Sequence, residues 1–219
     1  WFEIYREIHM KYKYVIFDFD GTINDTSEGI YATFRGVLDS YGIDYSNIDF
    51  SKHIGPPLDF TYTEFVGKER CAEAVQKHYE VYKKLNAAEM CHVYDGIPEL
   101  IAELYQKGYV LALASSKYEP HAILSLKNLH LYDYFAKVYG QTERRGYKNE
   151  ILRQLIADNG WDKSQCVMIG DTLYDVEGAN ENGIDVIAVT YGFGKREDLE
   201  KANTVAVVDT PQELIRILE

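Results

Sequence analysis

Only three cysteines occur in the 219 residues, Cys71, Cys91 and Cys166, and they lie far apart with no paired spacing. Their scarcity excludes a disulfide scaffold and a cysteine-built zinc site, and it suits reduced thiols in a cytoplasm, each acting as a small apolar side chain. Long apolar runs are also missing. No stretch approaches the roughly 18 residues that read as a membrane span, and no signal-peptide pattern opens the sequence, so a soluble, cytoplasmic protein is expected. Positive charge is the third shortage. Lys and Arg number 23 against 35 Asp and Glu, a formal net charge of −12, which argues against nucleic acid and anionic membranes as partners because an acidic surface is repelled by both. An anionic substrate would need positive charge supplied locally.

What is present is ordinary for a globular chain: 46% hydrophobic and 26% charged residues, with 19 tyrosines assigned to amphipathic packing. Residues 1–9 precede a plausible start at Met10 and read as an N-terminal extension or an expression remnant. The run from Val15 to Asp18, apolar and then acidic, predicts a buried strand that breaks into the tight turn Asp20-Gly21-Thr22. Residues 25–92 change character. Helical spacing over about 27–41, 58–66 and 68–88, broken at Gly42, Gly55-Pro56-Pro57 and Gly67, predicts an α-helical insert. From Asp95 onward helices (about 97–107, 119–129, 148–159, 173–182 and 211–218) alternate with strands (about 109–114, 137–139, 167–170, 186–189 and 205–208). Such alternation predicts an α/β fold, a doubly wound parallel sheet. The core domain would comprise residues 10–24 and 93–219, the cap residues 25–92, with hinges near Asn24–Thr26 and Cys91–Gly96.

Ligands bind off the carboxyl ends of strands in such sheets. The strands here deliver Asp18, then Ser115-Ser116-Lys117, then Gly170-Asp171-Thr172, with Asp175 one helical turn later. Asp18 and Asp20, two apart on an extended segment, point the same way, and Asp171 and Asp175 can share a helix edge. Four carboxylates converging at one buried edge call for a hard divalent cation with oxygen ligands. Acids, a cation and a neighbouring hydroxyl together suit phosphoryl transfer.

These residues resemble the motifs of the haloacid dehalogenase superfamily, in order, over nearly the whole sequence from about residue 12. The family's DxDGT is Asp18-Phe19-Asp20-Gly21-Thr22, its Ser or Thr is Ser115, its Lys is Lys148, and its GDxxxD is Gly170-Asp171-Thr172-Leu173-Tyr174-Asp175. The resemblance implies that Asp18 is the nucleophile, Asp20 the general acid and base, and Ser115 and Lys148 the groups that hold the phosphoryl and neutralise its charge. It implies a Mg2+ site from Asp18, the Asp20 carbonyl, Asp171 and Asp175. Gly21, Thr22, Ser116 and Lys117 would complete the phosphate cradle. Where the family often has Lys-Pro this chain reads Tyr147-Lys148-Asn149, leaving Arg144 and Arg145 as competitors; Lys148 is preferred because the apolar helix pattern starts directly after it. The insert resembles the family's small α-helical cap, and His53-Ile54-Gly55-Pro56-Pro57 resembles the substrate-facing loop of phosphoglycolate-phosphatase-like members. Lys52, His53 and Gly55 are the cap candidates for substrate binding.

The resulting expectation is a magnesium-dependent phosphatase for a small phosphorylated metabolite such as phosphoglycolate, a nucleoside monophosphate or a sugar phosphate, with monomer and homodimer both open. The alternatives are a sugar-phosphate mutase of the β-phosphoglucomutase type and a non-catalytic phosphate-binding or regulatory module.

Overall fold

The computed structural model describes residues 11–218; the expected extension at residues 1–9, and Met10, lie outside the described residues. Six parallel strands form one sheet: β1 (Tyr14–Phe17), β4 (Val110–Tyr118), β5 (Phe135–Gln141), β6 (Cys166–Gly170), β7 (Asp185–Val189) and β8 (Ala206–Val208), in the order β5-β4-β1-β6-β7-β8. The chain runs outward from β1 to one edge and then returns to build the other half, so the winding reverses beside β1. A ligand site belongs at that reversal.

Period-two alternation assigns the strand side chains to two faces. Val15, Phe17, Leu111, Leu113, Val167, Ile169, Ile187 and Val189 pack on one face, under the helices α4 (Ile97–Gln106), α5 (Glu119–Asn128) and α9 (Pro211–Leu218). Ile16, Ala112, Ala114, Met168, Val186 and Ala188 pack on the other, under α6 (Lys148–Asn159), α7 (Leu173–Asn182) and the short α8 (Arg196–Leu199). With helices on both faces, all strands but the edges are buried, which is why they read as continuous apolar runs.

Residues 27–84 contribute three helices, α1 (Ser27–Tyr41), α2 (Leu58–Val66) and α3 (Cys71–Lys84), around an apolar cluster of their own. Phe34 is its centre, with ring contacts to Phe50, Tyr62, Phe65 and His78. Residues 68–88 do not form one long helix: α3 stops at Lys84, Asn86 takes a left-handed φ of 54°, and a 3-10 turn follows over Ala87–Glu89. The two crossings between the helical insert and the sheet domain are tied together by a two-residue antiparallel pair, β2 (Asn24–Asp25) and β3 (His92–Val93), in the register Asn24↔Val93 and Asp25↔His92. Strand β4 is longer than its apolar core, running through Ser115, Ser116 and Lys117, with a register irregularity against β5 between Ala114 and Tyr118.

Candidate active site

The turn after β1 wraps around one carbonyl. Phe19 O accepts hydrogen bonds from the N–H groups of Thr22, Ile23 and Asn24, while Asp18 N–H donates to Ile169 O at 2.9 Å and so continues the β1–β6 pairing. Gly21 holds φ at +87°, and a Cβ there would collide with the Asp171 carboxylate, so the turn requires glycine for conformation and for space.

Three buried carboxylates, Asp18, Asp171 and Asp175, bring one oxygen each to within 4.8 Å of the others. One cation faces them. Lys148, at the first position of α6, places Nζ 2.7 Å from Asp18 Oδ1 and 2.8 Å from Asp175 Oδ1, and donates to Ala114 O at 2.8 Å. Arg145 is committed elsewhere, to Glu119 and, through Nε, to Gly140 O at 2.8 Å, which removes it from competition for this position. Three carboxylates against one ammonium leave an excess of negative charge in a water-poor site. Burial pushes the Asp18 carboxyl up to about 7; Lys148 opposes the shift, and the charges of Asp175 and Asp20 add to it. Burial likewise raises Asp171 well above the carboxylate range, reinforced by Asp175 and Asp18 and resisted by hydrogen bonds from Phe193 N–H and Thr22.

Each acid has a distinct set of contacts. Asp171 Oδ1 accepts from Thr22 Oγ1 at 3.0 Å and Oδ2 from Phe193 N–H at 2.7 Å. Asp175 Oδ2 accepts from Thr172 N–H and Oγ1 at 3.0 and 2.8 Å, a capping box that opens α7, while its Oδ1 meets Lys148. The Asp20 side chain does not join the three-carboxylate group. It turns toward the cleft, where Lys117 Nζ donates to its Oδ1 at 3.0 Å. The donor set, all hard oxygen with surplus negative charge, fits a divalent cation such as Mg2+.

A narrow cavity of about 70 Å³ adjoins these acids, lined on the sheet side by Asp18, Asp20, Ser115, Ser116 and Lys117, and on the cap side by His53, Gly55 and rings of α3. Gly55 sits close over the core, since a Cβ there would lie 3.2 Å from Thr172 Cγ2. Three of the candidate residues lie outside the lining of this cavity. Lys52 is exposed and pairs with Asp49 at 3.8 Å, away from the cavity lining. Thr22 and Gly21 are absent from that lining as well, because the Thr22 hydroxyl and the Gly21 turn are used to seat Asp171. Sequence reasoning also missed participants. The segment Tyr191-Gly192-Phe193 after β7 braces the site, through Phe193 N–H on Asp171 and Tyr191 OH donating to Thr22 O at 3.1 Å. The only signal was a glycine-rich break following a strand. His78, Tyr79, Tyr82, Tyr118 and His121 also line the cavity, although the sequence assigns its tyrosines only to amphipathic packing.

A doubly wound sheet with a lysine-braced acid cluster at its reversal point, facing the helices of residues 27–84, places the protein among α/β enzymes. Residues 15–189 match a family model described as haloacid dehalogenase-like hydrolase, and the chain belongs to that family. It is 34% identical over 199 residues to a Pseudomonas aeruginosa protein named 5'-nucleotidase, covering 89% of this chain and 90% of that one. It is 26% identical over 207 residues to a Synechococcus elongatus phosphoglycolate phosphatase, covering 92% and 95%. The fold superposes on that of a predicted phosphatase from Clostridium acetobutylicum with a TM-score of 0.89 at 31% identity, covering 94% of this chain and 97% of the other. The chain is accordingly a phosphatase of this family. Among the described residues, no helix is long and apolar enough to cross a membrane.

Proposed function

We propose that the protein is a magnesium-dependent phosphatase that hydrolyses small phosphate monoesters through an aspartyl-phosphate on Asp18. The observation that carries this reading is the buried Asp18 carboxylate held 2.7 Å from Lys148 beside two further buried acids. Asp18, Asp171 and Asp175 would hold Mg2+, which when bound offsets the charge of the phosphoryl oxygens and of the acids themselves. In the first half-reaction an Asp18 oxygen attacks phosphorus and the ester oxygen leaves, taking a proton from the Asp20 carboxyl. In the second, Asp20 takes a proton from water as the water oxygen attacks phosphorus, and Asp18 is released with inorganic phosphate. Lys148 keeps the Asp18 carboxylate ionised and oriented, and Ser115 at the end of β4 offers its hydroxyl to the transferring group. The cap limits the water admitted to the first half-reaction. The test is phosphate release from a panel of phosphate monoesters. Turnover that requires Mg2+ and stops on chelation is expected; release that is indifferent to chelation, or absent across the panel, overturns the reading.

The acid cluster also ties metal binding to pH. Asp18 and Asp171 are raised in the folded protein, so between the ordinary carboxylate value of about 4 and about 7 the metal-free native state binds protons that the unfolded chain does not. The stability this contributes is full at acid pH and is lost as pH rises through the folded values. Mg2+ competes with those protons. Its stabilisation is expected to be small at pH 5 and, at a concentration 100 times its Kd, roughly 5–10 °C in Tm at pH 8 for a chain of this size. Thermal denaturation after chelation, with and without added Mg2+, measures it; equal Mg2+ shifts at both pH values would contradict this account.

A further inference from the structure

The two acids assigned the chemistry, Asp18 and Asp20, each have a lysine of their own. Lys148, from α6, serves Asp18 together with Asp175. Lys117, near the end of β4, serves Asp20, with Nζ 3.0 Å from Oδ1. The two side chains of this second pair are only 8% and 13% exposed, so little water competes for either. By resemblance Lys117 belongs to the phosphate cradle; here its ammonium is already taken by an acid.

The surroundings of the lysine fix it on that partner. Nζ lies 5.5 Å from the ring centroid of Phe19, the residue before Asp20, and 5.5 Å from that of Tyr82 on α3. Tyr82 is in turn set against His121 at 5.7 Å, in an aromatic junction that takes in Tyr79 and Tyr118. The backbone is tied as well, since Lys117 N–H donates to Ser115 Oγ at 3.3 Å. Burial works against the ammonium, but the Asp20 carboxylate and Tyr82 outweigh it and raise Lys117 above the usual lysine value, so the lysine stays charged.

We propose that Lys117 is a positioning residue for Asp20: by holding one carboxylate oxygen it presents the other to the ester oxygen, while Tyr82 of the helical insert holds the lysine in place. The inference rests on the phosphatase reading and adds how the acid of that site is aimed. As the bond from Asp18 to phosphorus forms and the bond from phosphorus to the ester oxygen breaks, the Asp20 proton goes to the departing oxygen; Lys117 neither gives up a proton nor touches phosphorus.

The leaving oxygen separates this role from phosphate binding. An alkyl phosphate needs a proton on that oxygen, whereas 4-nitrophenyl phosphate releases an anion that is stable without one. With Mg2+ present, Lys117→Met is expected to lower kcat/KM about 10- to 100-fold for an alkyl phosphate that the native protein turns over, and less than about threefold for 4-nitrophenyl phosphate, because a positioned acid supplies roughly 10²–10⁴-fold in all. In an Asp20→Asn background the same substitution is expected to lower neither value further, since the residue it acts through is gone. Lys117→Gln, a donor without the charge, is expected to fall between the native and methionine proteins, and it stands in for the methionine variant if that one does not fold. Equal losses for the two esters with a matching rise in the inhibition constant of inorganic phosphate, or a further loss in the Asp20→Asn background, would mean that Lys117 holds the phosphate itself and would overturn the proposal. An unchanged kcat/KM for the alkyl phosphate would overturn it too. Each of these results leaves the phosphatase reading standing; that reading fails instead if the native protein releases phosphate from neither kind of ester.

Discussion

Asp18→Asn is expected to reduce phosphate release by at least about 10⁴-fold, as removal of a covalent nucleophile does when the rest of the site persists. The fold should not suffer. The amide has the shape of the carboxylate, and the substitution takes one negative charge from a cluster in which three buried acids face a single lysine. In chelator, at pH 8, the variant should therefore melt no lower than the native protein, because the charge it discards is one that burial penalises. Paired measurements of turnover and Tm separate this from a general loss of folding, which would lower both. A variant with near-native turnover would show that Asp18 is not the group phosphorylated.

The sheet was legible because both of its faces are covered. Strands buried on two sides read as short apolar runs, and β1, β6 and β7 were located to within a residue or so on that signal. The acids were legible for a related reason: Asp18 and Asp171 interrupt those runs at the carboxyl end, where an unpaired charge has no structural excuse. Other features depend on tertiary contacts that leave no local pattern. Strand β4 continues through Ser115, Ser116 and Lys117 with β5 alongside to Gln141, so its polar end falls outside the apolar run, about 109–114, that marks the strand in the sequence. The β2–β3 pair holds two residues from each crossing, too short for any periodicity, yet it fixes where the helical insert meets the sheet. Lys52 was attractive as a nearby cation but follows Asp49 on a 3-10 turn that points it to solvent, while its neighbour His53 is buried against Phe65 at 4.4 Å. The aromatic junction was the least legible. Tyr79 and Tyr82 occupy helix positions that pack sensibly against a core, and only the approach of α3 to Tyr118 and His121 turns them into cavity walls.

Lys148→Ala is expected to damage stability as much as catalysis, and the two effects share one cause. The ammonium makes three short contacts, with Asp18 Oδ1, Asp175 Oδ1 and the Ala114 carbonyl, which match its three N–H donors. Removing it leaves the carboxylates buried without a counter-charge, a loss of about 3–5 kcal/mol when one partner of a buried pair is deleted. For a chain of this length that corresponds to a fall in Tm of roughly 6–20 °C. The loss should be largest in metal-free protein above pH 7 and should shrink toward pH 5, because protonated acids no longer need the lysine. Lys148→Arg is not expected to restore it. The lysine stem runs tightly beneath α7, where a Cβ on Gly178 would lie 2.7 Å from Lys148 Cγ, and the broader guanidinium cannot reproduce the same three contacts. Denaturation curves across pH for the two variants, with and without Mg2+, decide the matter: an alanine variant as stable as the native protein at pH 8 in chelator would mean that the acids are not charged together, and that the electrostatic basis assigned to this site is wrong.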